Sequence, residues 1–568
     1  MRSVKNFKNS AFPYKLMSMF INKFKKIFLA TAFALALGNV FADGEPEKNA
    51  ETQSKESAKK NIDINEDIQR EFHITVSAMN FNLNPHTAAY SMEAQILDGL
   101  YEGLYSYDPR TLEPKNALAT ECKLSRDKLR VTYKIREDAK FSDGQPINAF
   151  SVRNAWLMLI ATPNAPYASF LDCVKGAREF RAGKIPESEV GIQARNNTTL
   201  VLHLNAPTSH LNKILCHHAF AIKTGSDNVF SGAFVLKERT DNMILLEKNQ
   251  NYWDAENVHI PSVRISTSDE IVDNAWDFNM GKVDWIASVF NSKKILNQDS
   301  VRLAAIFGTE YIFFKCQNSP WDKAEFRNAL ISAVPWSRLR KNSLIKATTL
   351  IYPLNGYPKV EGLSDTETED AIEMMREAKK AAGIDENEKL KLKFDISATS
   401  TRQQDFYEIL KEAWAPLGIE LEAKITNDYR YVESIPSSDA DLFVYSWIGD
   451  FADPLAFLEL FKENSTLNQT KWQNEKFNEL LKEASLTNDN EEHNKLLANA
   501  EQVLIDDGVI MPVQHSISLN ALNGNAIGGW YTNALDIHPY KYLYFKEYKS
   551  AIPNVVLLDN KNNTKKIN

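Results

Sequence analysis

One alternating stretch limits the fold more than any other feature of the sequence. Leu390, Leu392, Phe394 and Ile396 alternate with polar residues, the period of a strand with a buried face. Phe406, Ile409, Leu410, Ala413, Trp414 and Leu417 then fall at helical spacing, and Pro416 and Gly418 close that segment. Ile419, Leu421, Ala423 and Ile425 alternate again. Strand, helix and strand make a βαβ unit, whose crossover implies a parallel pair and an α/β domain in which the chain returns to the same sheet. Elsewhere, 200–204 and 244–247 read as short strands, and 471–505 as a helical region with apolar stripes around an acidic break near Asp489.

The chain has 568 residues, 43% hydrophobic and 25% charged, enough for roughly two to four domains. A formal net charge of -8 argues against nucleic acid as a partner, because neutralising phosphates needs clustered Lys and Arg. Cys122, Cys173, Cys216 and Cys316 are too scattered for a disulfide scaffold or a zinc module, and whether any two pair stays open. Cys216-His217-His218 invites a metal assignment, but adjacent side chains on one element rarely converge on one ion, so local packing is the preferred reading. No metal or cofactor is expected. Phosphate-cradling loops, zinc helices of the HExxH kind and GxSxG elbows do not occur, which disfavours an enzyme.

Lys23, Lys25 and Lys26 precede an apolar run over 27–37 that is short for a membrane span, and Val40-Phe41-Ala42 offers small residues at both positions of a cleavage site. Residues 1–42 are expected to be a secretory signal, complete even without the part ahead of Met17 or Met19. Residues 43–70 are poor in large apolar side chains and read as a disordered tether, and 551–568 as a tail whose last ten residues are rich in Lys and Asn. With no cysteine near the cleavage point, no lipid anchor is expected, and the implied compartment is the periplasm.

Several motifs resemble those of the peptide- and nickel-binding class, family 5, of extracellular solute-binding proteins of ABC importers. Asn84-Pro85-His86 followed by Tyr101-Glu102-Gly103-Leu104 looks like the family's opening turn and EGL helix end. Phe141-Ser142-Asp143-Gly144-Gln145-Pro146-Ile147-Asn148-Ala149 is similar to its SDG-x-P hairpin and helix start. Ser231-Gly232-Ala233-Phe234, Tyr252-Trp253-Asp254, Phe326-Arg327-Asn328-Ala329-Leu330, Leu417-Gly418-Ile419-Glu420-Leu421 and Val509-Ile510-Met511-Pro512 extend the likeness in order. The family's usual Asp-Arg pair is replaced by Pro335-Trp336-Ser337-Arg338. Taken alone, the glycines supply turns and Tyr252 and Trp253 are core aromatics.

The resemblance implies a two-lobed α/β periplasmic-binding-protein fold of the large, three-domain type, with a hinge and an interlobe cleft. Lobe I would comprise 71–101, 226–310 and 511–550, an additional domain 102–225, and lobe II 311–510. It also implies short peptides as ligands, the membrane-embedded permease subunits of an ABC importer as partners, and a monomer.

Trp447-Ile448-Gly449-Asp450 follows an apolar strand, 442–445, and so places Asp450 just beyond a strand end, where ligand sites are favoured. In isolation Asp450 reads as a turn or capping carboxylate. By resemblance, Trp447, Ile448 and Gly449 offer a backbone edge to a peptide and Asp450 receives its α-ammonium. Ala89, Tyr90 and Ser91 would offer the opposite edge, and Tyr429 falls near a cleft aromatic of the family. The family's basic contact to the peptide carboxylate has no counterpart, since Val444 stands there. The alternatives are the same fold carrying a nickel chelate, sugar or haem, which a His-lined cleft would favour, or a surface adhesin.

Overall fold

The computed structural model describes residues 70–427, 431–487 and 489–546. The expected signal, the tether up to residue 69, the tail and Tyr429 lie outside the described residues. β1 (Phe72–Val76) comes first. Four strands follow, β2 (Ala119–Leu124), β3 (Arg130–Ile135), β4 (Ile192–Asn196) and β5 (Thr199–His203), which form a separate antiparallel sheet in the order β2-β3-β5-β4. β6 (Phe234–Arg239), β7 (Met243–Lys248), β8 (Ser262–Thr267), β9 (Trp285–Ala287), β10 (Val301–Phe314), β11 (Leu390–Ser397), β12 (Ile419–Thr426), β13 (Leu442–Ile448) and β14 (Ile510–Leu522) join β1 in one long sheet. Its order is β12-β11-β13-β10-β14-β9-β1-β8-β7-β6.

β10 and β14 are the two strands that hold this sheet together. Val301 to Ala305 pair with Ala521 to Ile517, whereas Thr309 to Phe313 pair with His515 to Ile510, and the register breaks between Ala305 and Thr309. On one side of that break β14 meets β9 through Trp285↔Leu522; on the other β10 meets β13 from Gly308↔Ile448 to Phe314↔Leu442. The sheet therefore consists of two halves joined by two interrupted strands. This is the two-lobed α/β architecture, and the irregular stretch at Ile306, Phe307 and Gly308 is where two packed bodies can pivot with least loss of pairing.

Each half has its own core. Phe72, Ile74, Val263, Ile265, Trp285 and Leu522 cluster in the first, with Leu390, Leu392, Phe394, Leu410, Trp414 and Met511 in the second. The βαβ unit lies in the second half. β11 and β12 pair in parallel from Leu390↔Ile419 to Ser397↔Thr426, joined by a helix at Thr401–Trp414. Ser400 caps that helix by accepting from the Gln403 amide, and Gly418 ends it with φ of 75°. Trp414 is fully buried and its indole donates to the Leu330 carbonyl at 2.8 Å.

Candidate functional site

Period-two alternation along β13 assembles the site. Leu442 and Val444 point into the second-half core, while Phe443, Tyr445 and Trp447 join an apolar cluster shared with the segment 102–225. Tyr445 and Trp447 stack with ring centroids 6.0 Å apart, and Trp447 lies 6.4 Å from Tyr167 of that segment. One backbone edge of β13 pairs with β10 along its whole length. The other is paired with β11 only at Leu442 and Phe443, so among the described residues no strand covers it from Val444 to Ile448. A strand edge of this kind is what an extended chain can extend by one more strand.

Just past the edge the chain turns tightly. The Gly449 amide donates to Phe307 at the sheet's break, and a Cβ at Gly449 would lie 2.7 Å from the Phe307 ring, so no side chain fits there without repacking. Asp450 follows. Its backbone carbonyl accepts from the Tyr107 hydroxyl at 2.9 Å, which fixes the turn against 102–225. The carboxyl is 6% exposed; Oδ1 lies 3.5 Å from His217 Nε2, and Oδ2 is buried without a hydrogen-bond partner. Burial pushes its pKa well above the usual carboxylate range, with the Tyr167 hydroxyl pulling slightly the other way. Asp450 thus caps nothing. It is a buried acid approached by the neutral His217 ring and the Tyr167 hydroxyl, with no Lys or Arg paired to it among the described residues, an arrangement that a cation arriving from outside would satisfy.

The surroundings keep themselves uncharged. Burial, helped by His218, drives the His217 pKa well below that of a free imidazole, and His218 itself goes down to about 3. His86 falls to about 4 through burial and the charge on Lys223. Tyr167 packs on His217 at 4.2 Å, and His217 on His218 at 4.0 Å.

The other expected edge is differently arranged. Ser91 is the first residue of a helix, Ser91–Leu100, and Tyr90 its N-cap. The amides of Ala89 and Tyr90 donate to the buried Glu93 carboxylate at 3.1 and 3.2 Å. Glu93, three residues into the helix, reaches back to bind these amides, so this segment has fewer free backbone donors than β13. Sequence reasoning passed over Tyr107, Tyr167 and His217. The adjacent histidines in an apolar stretch were the visible signal, but only folding brings them to Asp450. Among the described residues no group of three or more His, Cys, Asp or Glu side chains is placed to hold a metal ion.

Motifs that define the scaffold meet one another away from the site. Glu102 accepts from Lys541 Nζ at 2.9 Å and from the Tyr252 hydroxyl, all three buried. Gly232 packs on the end of the helix Ser91–Leu100, where a Cβ would lie 2.6 Å from backbone atoms of Gly99 and Tyr101. Asn148 accepts from the amides of Phe150 and Ser151 and so starts the helix Ala149–Ala161.

The profile of the family described as bacterial extracellular solute-binding proteins, family 5, matches residues 113–469. The chain is similar to the oligopeptide-binding protein OppA of Bacillus subtilis, 26% identical over 519 residues, covering 86% of this chain and 92% of that one. Among solved structures it resembles the murein tripeptide binding protein MppA of Escherichia coli, with a TM-score of 0.74 and 23% identity over 84% of this chain and 99% of that one. It also resembles Haemophilus influenzae OppA in complex with RPPGFSPFR, with a TM-score of 0.73 and 21% identity at the same coverage.

Proposed function

Because this chain belongs to family 5 of the bacterial extracellular solute-binding proteins, we propose that it captures short peptides between its lobes and presents them to the membrane-embedded permease of an ABC importer. The observation that carries this reading is the edge of β13, uncovered by any strand among the described residues, running directly into a buried carboxyl oxygen that makes no hydrogen bond among those residues. A carrier of many peptide sequences can rely only on what all peptides share, namely backbone N–H and C=O groups and charged ends. The 445–449 edge matches the first and Asp450 the second.

In this account Trp447, Ile448 and Gly449 pair with the peptide backbone and Asp450 takes its α-ammonium. Ala89, Tyr90 and Ser91 flank it from the other side, with Ala89 contributing chiefly through groups that Glu93 does not occupy. Closure about the break in β10 and β14 sequesters the peptide and creates the shape a permease distinguishes from the empty form. The protein works as a periplasmic, monomeric carrier rather than an enzyme, with no nucleic acid as partner.

Calorimetry with trialanine tests the reading. Removing one member of a buried ion pair costs roughly 2 to 5 kcal/mol, so Asp450→Asn should weaken binding about 30-fold or more. Wild-type affinity in that variant would remove Asp450 from the site.

A further inference from the structure

We propose that His217 is the positioning residue of this site: its Nε2–H steadies Asp450 Oδ1, directs Oδ2 at the incoming cation, and thereby makes the site selective for cargo with a free ammonium end. The inference rests on the reading of Asp450 as the ammonium acceptor.

The tautomer follows from the backbone. The Ala219 amide donates to His217 Nδ1 at 3.3 Å, so Nδ1 carries a lone pair and the ring proton sits on Nε2. Nε2 is the nitrogen that faces Asp450, 3.5 Å from Oδ1. That separation is slightly long for a hydrogen bond, and a movement of a few tenths of an ångström as a ligand draws Asp450 in would close it. Protonating the ring would require Nδ1 to give up the Ala219 bond, which works with burial to hold the imidazole neutral.

The groups facing His217 do not supply a competing charge. Tyr167 and His218 pack on its faces, and Tyr107 and Tyr445 stand behind Asp450. His86 lies beyond His218, and the Glu93 carboxylate is directed to the amides of Asn82, Ala89 and Tyr90. Lys213 Nζ is committed to the Ala452 carbonyl at 3.3 Å. The positive charge that answers Asp450 must therefore arrive with the cargo. His217 and Asp450 also come from different parts of the chain, the first from 102–225 and the second from the end of β13, so their contact forms only when these bodies meet.

The test compares trialanine with N-acetyl-trialanine by calorimetry at neutral pH. Wild type should prefer the free peptide. His217→Phe should lose about tenfold for trialanine, the scale of one hydrogen bond to a charged group, and nothing for the acetylated peptide. His217→Gln, which can present an N–H in the same place, should restore the preference. Equal losses for both peptides, or no loss for either, would reduce His217 to packing and overturn the proposal. Nitrogen NMR of the histidines in peptide-free protein gives an independent readout, with the His217 signal identified by its disappearance in His217→Gln. An unprotonated Nδ1 supports the proposal, and a proton on Nδ1 defeats it. Should wild type bind neither peptide, the assignment of cargo fails, and the NMR result still decides the role of His217.

Discussion

At the scale of single residues, two buried acids share one property: burial raises the pKa of both Asp450 and Asp98, and each has an Oδ2 without a hydrogen-bond partner among the described residues. In the proposed function a cation from outside answers Asp450. Asp98, on the helix Ser91–Leu100, is enclosed near Lys541 and Glu102, and burial raises its pKa to about 8, against the pull of Lys541 and with Glu102 adding to the rise. A carboxyl whose folded pKa exceeds its unfolded value holds its proton in the native state. Its contribution to stability is complete below about pH 4 and is lost as pH rises towards about 8. We expect the melting temperature to fall more steeply between pH 5 and 8 in wild type than in Asp98→Asn, where this contribution is absent; parallel curves would show that Asp98 ionises normally. The roles of such residues were only partly legible. Asp450 stood out because it follows an apolar strand, but the Tyr167, His217 and Tyr107 contacts join positions far apart in sequence, and no local pattern encodes them. Asp450 does lie in the turn beyond the strand, as the sequence alone suggests, but among the described residues no backbone amide is capped by its carboxyl, which faces His217 instead.

At the scale of elements, legibility followed the strength of the local code. The βαβ unit was readable because alternation, helical spacing and the Pro416 and Gly418 stop signals agree, and the strands and helix lie where that agreement put them. The break near Asp489 is likewise real: Asp489 caps the helix Asn490–Asp506, which follows the helix Glu475–Leu486. The long strands β10 and β14 were not readable as one connected pair, since their partners lie about two hundred residues apart. Caps are the most local of these codes. Asn148→Ala should remove the cap of Ala149–Ala161 and lower stability by about 1 kcal/mol, measurable by denaturant unfolding, with no effect on peptide affinity. A change in affinity as well would mean that this helix start communicates with the cleft. Gly449→Ala tests the β13 edge from the other direction: a methyl group against Phe307 should displace the turn and weaken trialanine binding by about tenfold while leaving the fold intact. Unchanged affinity would show that the edge is not where the cargo lies.

At the scale of the whole molecule, two sheet halves share two strands and meet again through 102–225. Direct contacts span that meeting: Ser169 Oγ and Thr466 Oγ1 at 2.8 Å, Lys213 and the Ala452 carbonyl, Tyr107 and the Asp450 carbonyl. None belongs to the sheet, so each can be lost when the halves part about the break at Ile306 to Gly308. Ligand binding should therefore be read out as compaction. The radius of gyration from solution scattering should fall on adding trialanine to wild type and stay constant for Asp450→Asn at the same concentration. Equal compaction of both would place the driving contact elsewhere. The central claim is that short peptides are the cargo, and native mass spectrometry of the protein purified without denaturation tests it most directly. A ladder of bound masses that sequences as short peptides with free amino termini is the predicted result. A single non-peptide mass, or a protein that stays empty after exposure to a peptide library, would contradict it.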